Sequence, residues 1–245
     1  MEVKLNEGER IDDLERNGLK IIQNKKGFCF GIDAVLLSGF AKAYEGEKVL
    51  DLGTGTGIIP ILMSAKTKAS KLSALEIQPV SFDMAKRSVS LNDLENKIEI
   101  INGDIKEASA IFGRASFDVV TSNPPYIKAN SGIVNPKEGK AIARHEVLLT
   151  FEDLAKQAKQ VLKPQGRFYL VHRPQRLAEI IKTLKDNRLE PKRIKFVHSY
   201  IDSDATLFLL EAVSGGREEM KVEKPLIIYK EENVYSDEIH EIYGF

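Results

Sequence analysis

Short apolar runs alternate with segments that carry apolar residues on one helical face, from residue 33 to about residue 185. Such runs are typical of buried strands, and the segments between them are typical of helices that pack on a sheet. The predicted strands are Lys48–Leu52, a strand that ends at Leu75-Glu76-Ile77, Ile98–Ile101, Phe117–Thr121 and Arg167–His172. Helices are predicted to begin at Asp33, Ile58, Pro79, Thr150 and Pro174.

The last two core segments, Ile194–Tyr200 and Thr206–Val213, are separated by Asp202-Ser203-Asp204 and are typical of an antiparallel strand pair. The earlier strands should pair in parallel, because a helix follows each of them and returns the chain across the sheet. We therefore expect an α/β fold with a doubly wound, mostly parallel, Rossmann-like sheet of seven strands that ends in an antiparallel hairpin.

Composition excludes several classes of protein. Apolar residues make up 42% and charged residues 29% of the 245 residues, which argues against a disordered or fibrous chain. The 36 basic and 36 acidic residues cancel, so the whole chain does not resemble a strongly cationic nucleic-acid binder. Cys29 is the only cysteine, no signal peptide is recognisable, and no apolar run is long enough to cross a membrane. These features predict a cytoplasmic protein.

Basic residues are unevenly distributed along the chain. Between Lys156 and Lys195, a stretch that we call the basic segment, twelve Lys and Arg residues accompany only three acids. Two interpretations stay open. The segment forms solvated helix faces, or it forms a surface that contacts nucleic acid.

Polar residues follow four successive predicted strands. Asp51 lies at the end of the first strand, Glu76 at the end of the second, Asp104 just after the third and Asn123 after the fourth. In an open parallel sheet the carboxyl ends of the strands line one crevice, and ligands bind there. The four positions should therefore converge on one site.

The segment Gly53-Thr54-Gly55-Thr56-Gly57 lets a ligand approach the backbone, since glycine has no Cβ and the following helix presents unpaired N–H groups. Its third glycine comes one residue earlier than in the dinucleotide-binding pattern, so a pyrophosphate is not favoured. Glu76 is placed to accept two ribose hydroxyls. Asp104 could accept from the amine of an adenine, or it could cap the helix that follows.

Asn123-Pro124-Pro125-Tyr126 is the most specific motif of the chain. Two consecutive prolines fix the backbone and remove two N–H donors, so the oxygens of Asn123 and Pro124 can face a ligand. Two such acceptors would orient a planar amine and favour a pyramidal, reactive nitrogen, while Tyr126 stacks on the planar substrate. The alternative is a proline-rich turn after a buried strand. No metal site is predicted, because His172 and His198 lack ligand spacing with Cys29.

With these motifs the sequence resembles the class I S-adenosylmethionine-dependent methyltransferases of the N-P-P-Y, amino-methylating kind. The resemblance implies S-adenosylmethionine as cofactor and Asn123, Pro124, Pro125 and Tyr126 as the catalytic motif. The cofactor-binding residues that it implies are Asp51, Gly53, Thr54, Gly55, Gly57, Glu76, Ile77, Asp104, Ile105, Asn123 and Phe30.

A closer similarity is to the bacterial enzymes that methylate N6 of the adenine beside the anticodon of a valine tRNA. It rests on Gly27–Leu37 ahead of the glycine turn and on Tyr235-Ser236 at the start of a last helix. It implies a single domain with a cofactor-covering segment (1–46), a catalytic core (47–213) and a tail with a terminal helix (214–245). It also implies a tRNA partner for a monomer or homodimer. Lys128, Lys137 and Lys140 are candidate RNA contacts, and Arg144 either contacts RNA phosphate or braces the loop in which it lies.

Other substrates and classes stay open. The same acceptor pair could hold the glutamine amide of a release factor or the N2 amine of an rRNA guanine. The release-factor enzymes carry a helical domain in front, whereas only 50 residues precede Asp51 here. A nucleotide-binding regulator and an NAD oxidoreductase are the alternatives from other classes, and preference for S-adenosylmethionine over NAD would distinguish them.

Overall fold

The structure is a computed structural model, and it describes residues 3–24, 31–125 and 149–244. Its strands are β1 (Glu9–Asp13), β2 (Lys20–Asn24), β3 (Lys48–Leu52), β4 (Lys71–Glu76), β5 (Ile98–Asn102), β6 (Phe117–Ser122), β7 (Leu162–His172), β8 (Leu189–His198), β9 (Ala205–Ser214), β10 (Lys221–Val222), β11 (Leu226–Ile227), β12 (Tyr229–Glu231) and β13 (Val234–Tyr235). Its α-helices are α1 (Ile32–Phe40), α2 (Ile58–Lys66), α3 (Pro79–Leu91), α4 (Ala108–Phe112), α5 (Phe151–Val161), α6 (Leu177–Asp186) and α7 (Asp237–Tyr243). Short 3-10 turns, Ile105–Glu107 and Pro174–Arg176, precede α4 and α6.

One large sheet organises the described part of the chain. Its order is β5-β4-β3-β6-β7-β9-β8, with β10 and β11 both beside β8. Strands β3 to β7 pair in parallel, whereas β9 is antiparallel to both β7 and β8. The doubly wound, mostly parallel sheet and its antiparallel hairpin are confirmed. The two extra strands, β10 and β11, have two residues each, too few for a hydrophobic pattern to predict.

Helices cover both faces of this sheet, because successive side chains of a strand point to opposite faces. Val49 and Val171 pack in one core cluster with residues of α1, α2 and α7. Leu50 and Leu170 pack in the other cluster with residues of α4, α5 and α6. Both faces of β3 and of the second half of β7 are therefore buried, which explains the apolar runs Val49-Leu50 and Phe168–Val171.

The N-terminal residues form a hairpin that the sequence pattern did not predict, with β1 antiparallel to β2. Side chains of α3 and of its C-cap bind the outer edge of β2. The Ile22 N–H donates to Ser88 Oγ at 3.0 Å. Asn92 accepts from the Lys20 N–H at 2.8 Å and donates to the Lys20 carbonyl at 2.7 Å. The hairpin is thus attached to α3 by hydrogen bonds as well as by packing.

An ion pair strengthens the same attachment. Arg87 on α3 donates to both oxygens of Glu9, at 2.8 and 2.7 Å, and to Asp83 at 2.6 Å. The Arg87 guanidinium lowers the pKa of Glu9 to about 2. The Glu9 carboxylate therefore favours the docked hairpin at neutral pH.

The C-terminal tail folds back on α1. Strands β12 and β13 pair as a small hairpin, and the Ser236 hydroxyl accepts from the Ile239 N–H at the start of α7. Ile239 is fully buried, and α7 lies within the tail where a terminal helix was expected. Among the described residues, no helix is both long enough and apolar enough to cross a membrane.

Candidate active site at the carboxyl edge of the sheet

The polar positions predicted from the strand ends lie on or just after four adjacent strands. Asp51 on β3 is in register with Ala74 on β4 and with Thr121 on β6. Glu76 on β4 is in register with Asn102 on β5, two residues before Asp104. The carboxyl ends of β5, β4, β3 and β6 therefore lie side by side, and the candidate site spans them.

The glycine turn connects β3 to α2 in a conformation that requires glycine. The N–H groups of Gly53 and Thr54 both donate to the Leu75 carbonyl, at 2.9 and 3.1 Å, which fixes the turn against β4. Gly55 and Gly57 have φ of +59° and +88°. A Cβ on Gly57 would lie 3.3 Å from the Ala85 Cβ, whereas a Cβ on Gly55 would point into open space. The turn therefore presents a bare backbone at Gly55.

The Glu76 carboxylate binds the backbone of the glycine turn. Its side chain is buried, and it accepts from the Gly55 N–H and the Gln78 N–H, both at 2.8 Å. Burial raises the pKa of Glu76. A carboxylate offers about four acceptor positions, and the backbone N–H of Ile77 also acts on this one, so acceptor capacity remains for a hydroxyl donor beside Gly55.

Asp51 is a second buried carboxylate at the same turn. It is 1% exposed, and its Oδ1 accepts from the Thr121 hydroxyl at 2.6 Å. Burial raises the pKa of Asp51 to about 6. Asp51 Oδ2 and Thr54 Oγ1 are both buried, and the Thr54 hydroxyl interacts with the Asp51 carboxylate, which opposes the rise in its pKa. The turn therefore buries a carboxylate whose charged form a cationic ligand nearby would favour.

Asp104 caps the 3-10 turn that follows β5, since its Oδ1 accepts from the Lys106 N–H at 2.9 Å. Capping is one of the two roles that the sequence allowed for Asp104. The cap uses only one oxygen of this half-buried carboxylate. Ile105 reaches the glycine turn, because a Cβ on Gly53 would lie 3.5 Å from its Cδ1. Ile77, after β4, is 39% exposed. Apolar side chains thus flank the polar groups.

The Asn123-Pro124-Pro125 segment continues directly from β6. Two hydroxyls fix this end of β6 against β3: Thr121 donates to Asp51, and Ser122 Oγ donates to the Leu52 carbonyl at 2.8 Å. Asn123 and Pro124 are half-buried and Pro125 is exposed. The proline segment and the glycine turn therefore follow neighbouring strands whose ends are fixed to each other.

Six predicted site residues lie outside the described residues, and their roles stay predictions. They are Phe30, Tyr126, Lys128, Lys137, Lys140 and Arg144.

The basic segment is not a uniform positive surface. Seven of its twelve cations form ion pairs with acids from several parts of the chain. Arg193, for example, pairs with Glu211 and Glu223, and its guanidinium lies 3.9 Å from the centre of the Phe40 ring. Most of these charges are therefore partly neutralised by neighbouring acids, and four of the seven lie on β7 and β8 rather than on the solvated helix faces of the first interpretation.

Sequence reasoning missed a group of residues at the end of β7. His172 is 1% exposed, and burial lowers its pKa to about 4. Its Nδ1 accepts from the Arg173 N–H at 2.8 Å. His172 and Arg176 line a cleft together with Pro124 and Pro125. The rule that ligands bind at strand ends, applied to the fifth predicted strand, would have found these residues.

Comparisons with known proteins identify the family and the fold. The family model described as Methyltransferase small domain matches residues 31–197. A Porphyromonas gingivalis protein named tRNA1(Val) (adenine(37)-N6)-methyltransferase is 32% identical over 183 residues, which are 72% of this chain and 68% of that protein. A protein of the same name from a Flavobacteriaceae bacterium is 27% identical over 217 residues, 88% of this chain and 90% of that one. A structure titled as a predicted O-methyltransferase from Agrobacterium tumefaciens has a TM-score of 0.70 at 24% identity, over 86% of this chain and 95% of that one.

Proposed function

The chain belongs to the methyltransferase small-domain family, and on that premise we propose that it methylates N6 of the adenine beside the anticodon of a tRNA. The observation that carries the proposal is the fixed position of two segments, the glycine turn after β3 and Asn123-Pro124-Pro125 after β6. The glycine turn suits an adenosine-containing methyl donor, and Asn123-Pro124-Pro125 suits a planar amine. Their strands, β3 and β6, are neighbours, so the two reactants would meet at the carboxyl ends of these strands.

S-adenosylmethionine supplies a methyl group on a positively charged sulfur when it is bound. The open face of Gly55 admits such a ligand to the backbone, and Glu76 has acceptor capacity for a ribose hydroxyl. Asp51 is a buried carboxylate with a raised pKa, so a cationic ligand nearby is favourable. Ile77 and Ile105 offer apolar contacts for the adenine.

Asn123 Oδ1 and the Pro124 carbonyl would accept the two N–H groups of the substrate amine. Holding both hydrogens draws the nitrogen lone pair out of conjugation and directs it toward the methyl donor. The methylated nitrogen becomes acidic, so no dedicated general base is required. Tyr126 is proposed to stack on the base, and positioning then supplies most of the acceleration.

The proposal of a tRNA substrate draws on the two relatives named as tRNA enzymes. A base in an anticodon loop is easily unstacked, so its extrusion into the site costs less than extrusion from a duplex. We place the activity in the cytoplasm, in a monomer or homodimer. A release-factor glutamine and an rRNA guanine would use the same acceptor pair and are the competing substrates.

The test is nucleoside mass analysis after incubation with labelled S-adenosylmethionine and each candidate substrate. N6-methyladenosine in tRNA is expected, and labelled glutamine or N2-methylguanosine in its place would refute the proposal. Asn123→Ala should lower kcat/KM by about 100-fold or more while the cofactor Kd stays unchanged. Asn187→Ala is the matched control, since Asn187 only caps α6 and bonds to Glu152. Equal losses of activity and cofactor affinity in Asn123→Ala would contradict the acceptor role.

A further inference from the structure

A cleft opens on the side of Asn123-Pro124-Pro125 that faces away from the glycine turn. It is lined by Pro124, Pro125, Leu149–Phe151, Leu154, His172 and Arg176. Its position follows from the sheet order, in which β6 lies between β3 and β7. The proposed cofactor site lies on the β3 side, so the path that the sheet order leaves for a long substrate bound at the proline segment runs over β7, where this cleft lies.

The size of the cleft limits what it can hold. Its volume is about 30 Å³, far below the several hundred Å³ of pockets that enclose a small molecule. A purine ring would not fit inside it. A group that rests at the mouth of the cleft, such as part of a sugar-phosphate backbone, would fit.

Arg176 gives the cleft a positive charge in a fixed place. Its Nε and Nη2 donate to the two oxygens of Glu179, at 3.1 and 2.6 Å, and its side chain is only 14% exposed. Glu179 uses two of the five N–H donors of the guanidinium, so Arg176 is held in orientation and keeps donors for another anion. Arg173, next to the cleft residue His172, is exposed.

His172 contributes no charge at neutral pH. Burial and the nearby charge of Arg176 lower its pKa to about 4, so its ring is neutral above that value. The apolar walls and the neutral imidazole weaken the competition of water for Arg176. The charge that a ligand meets in the cleft is therefore the guanidinium, partly offset by Glu179.

We propose that this cleft binds the ribose-phosphate next to the target nucleoside of a single-stranded RNA, with Arg176 contacting the phosphate. The inference rests on the proposed RNA substrate and adds to it the path of the RNA backbone, from the proline segment across the end of β7. Neighbouring strands are about 4.7–4.9 Å apart, so β7 ends within one nucleotide of the segment that holds the base. Arg176 is a positioning residue in this arrangement, because it binds the RNA and does not touch the reacting atoms.

The experiment uses anticodon stem-loop RNAs in which a methylphosphonate replaces one phosphate on either side of the target adenine. RNA binding is measured by fluorescence anisotropy, and methyl transfer by single-turnover assays. For the wild type, neutralising one of the two phosphates should weaken RNA binding about tenfold or more. Arg176→Gln should bind unmodified RNA with a similar loss, and the methylphosphonate should cost it nothing further. The RNA concentration that gives half of the maximal single-turnover rate should rise, with the maximal rate and the cofactor Kd little changed.

Two further variants separate binding from folding. Glu179→Gln releases the guanidinium from its acid, so RNA affinity should rise, whereas a purely structural ion pair predicts a loss. Lys182→Gln is the matched control: Lys182 is exposed on α6, pairs with Asp186, and should change neither RNA affinity nor phosphate sensitivity.

Distinct results would overturn the inference and the proposed function. The inference is wrong if the methylphosphonate weakens Arg176→Gln as much as the wild type, or if Glu179→Gln lowers RNA affinity. The proposed function fails if the wild type binds S-adenosylmethionine but forms no N6-methyladenosine in unmodified RNA.

Discussion

Gly55 and Gly46 form a matched pair for testing whether a ligand lies against the glycine turn. Both have positive φ, +59° and +81°, and a Cβ built on either meets no atom within 4 Å. An L-residue in the left-handed region costs about 1–2 kcal/mol. Gly55→Ala and Gly46→Ala should therefore each lower the free energy of unfolding by about that amount, which corresponds to a Tm decrease of roughly 2–8 °C for a chain of this size.

Only Gly55→Ala should weaken cofactor binding. Gly46 precedes β3 and lies at the amino ends of the strands, away from the glycine turn. The added methyl group at Gly55, in contrast, occupies the open face of the turn. Loss of close contact with the backbone should weaken binding about tenfold, or about 1.4 kcal/mol. At a cofactor concentration 100 times the wild-type Kd, stabilisation by ligand should fall from about 2.7 to about 1.4 kcal/mol.

Calorimetric titration with S-adenosylmethionine and thermal unfolding with and without it measure both quantities. Gly46→Ala should match the wild type in affinity while sharing the lowered Tm of Gly55→Ala. Wild-type affinity in Gly55→Ala would refute the proposed contact, and an equal loss of affinity in Gly46→Ala would show that backbone strain alone is responsible.

Three further predictions concern the buried charges. Glu76→Gln places an amide NH₂ against a backbone N–H donor, so calorimetry should show cofactor affinity at least about tenfold lower, and unchanged affinity would remove Glu76 from the site. The pKa of Asp51 is about 6, above its ordinary 3.8, so the unfolded chain loses this proton first, and the stability of the wild type relative to Asp51→Asn should fall as pH rises from about 4 to 6. The comparison with Asp51→Asn cancels the opposite effect of His172, whose pKa of about 4 lies below its ordinary value. A stability difference in urea unfolding that does not change with pH would refute the raised pKa of Asp51. Arg87→Met should lower the free energy of unfolding by about 1–3 kcal/mol at pH 7. The wild type should lose this stability as pH falls from 4.5 toward 2, because the pKa of Glu9 is held at about 2, and an equal loss in Arg87→Met would contradict the pairing.

The sequence predicted the features that local patterns determine. The strand β3, the glycine turn and α2 form one continuous pattern, and the strand-end rule then located Asp51, Glu76 and Asn123 on adjacent strands. The same rule could not decide how Asp104 is used, because a carboxylate before a helical turn can bind a ligand or cap the turn. Its bond to the Lys106 N–H depends on the local backbone, which the pattern does not define.

Features that depend on distant contacts were not predictable in this way. Strand β2 is stabilised by Ser88 and Asn92, about 70 residues away, and β1 has no regular alternation of apolar residues. The count of cations in the basic segment gave no information on partners, since Arg167 pairs with Glu47 and Arg193 with Glu211 only in the folded chain. Charge density along a sequence therefore overstated the positive potential of the surface.

The attachment of β2 to α3 also protects the protein from association through strand edges. A two-stranded hairpin is barely stable alone, and its free edge is a template for pairing with other chains. Here the Ser88 and Asn92 side chains form hydrogen bonds with backbone groups of that edge, and Ile21 and Ile22 are fully buried. Any event that melts α3 would release an apolar ribbon with unpaired amides, so partial unfolding at this helix should be the step at which the protein begins to aggregate.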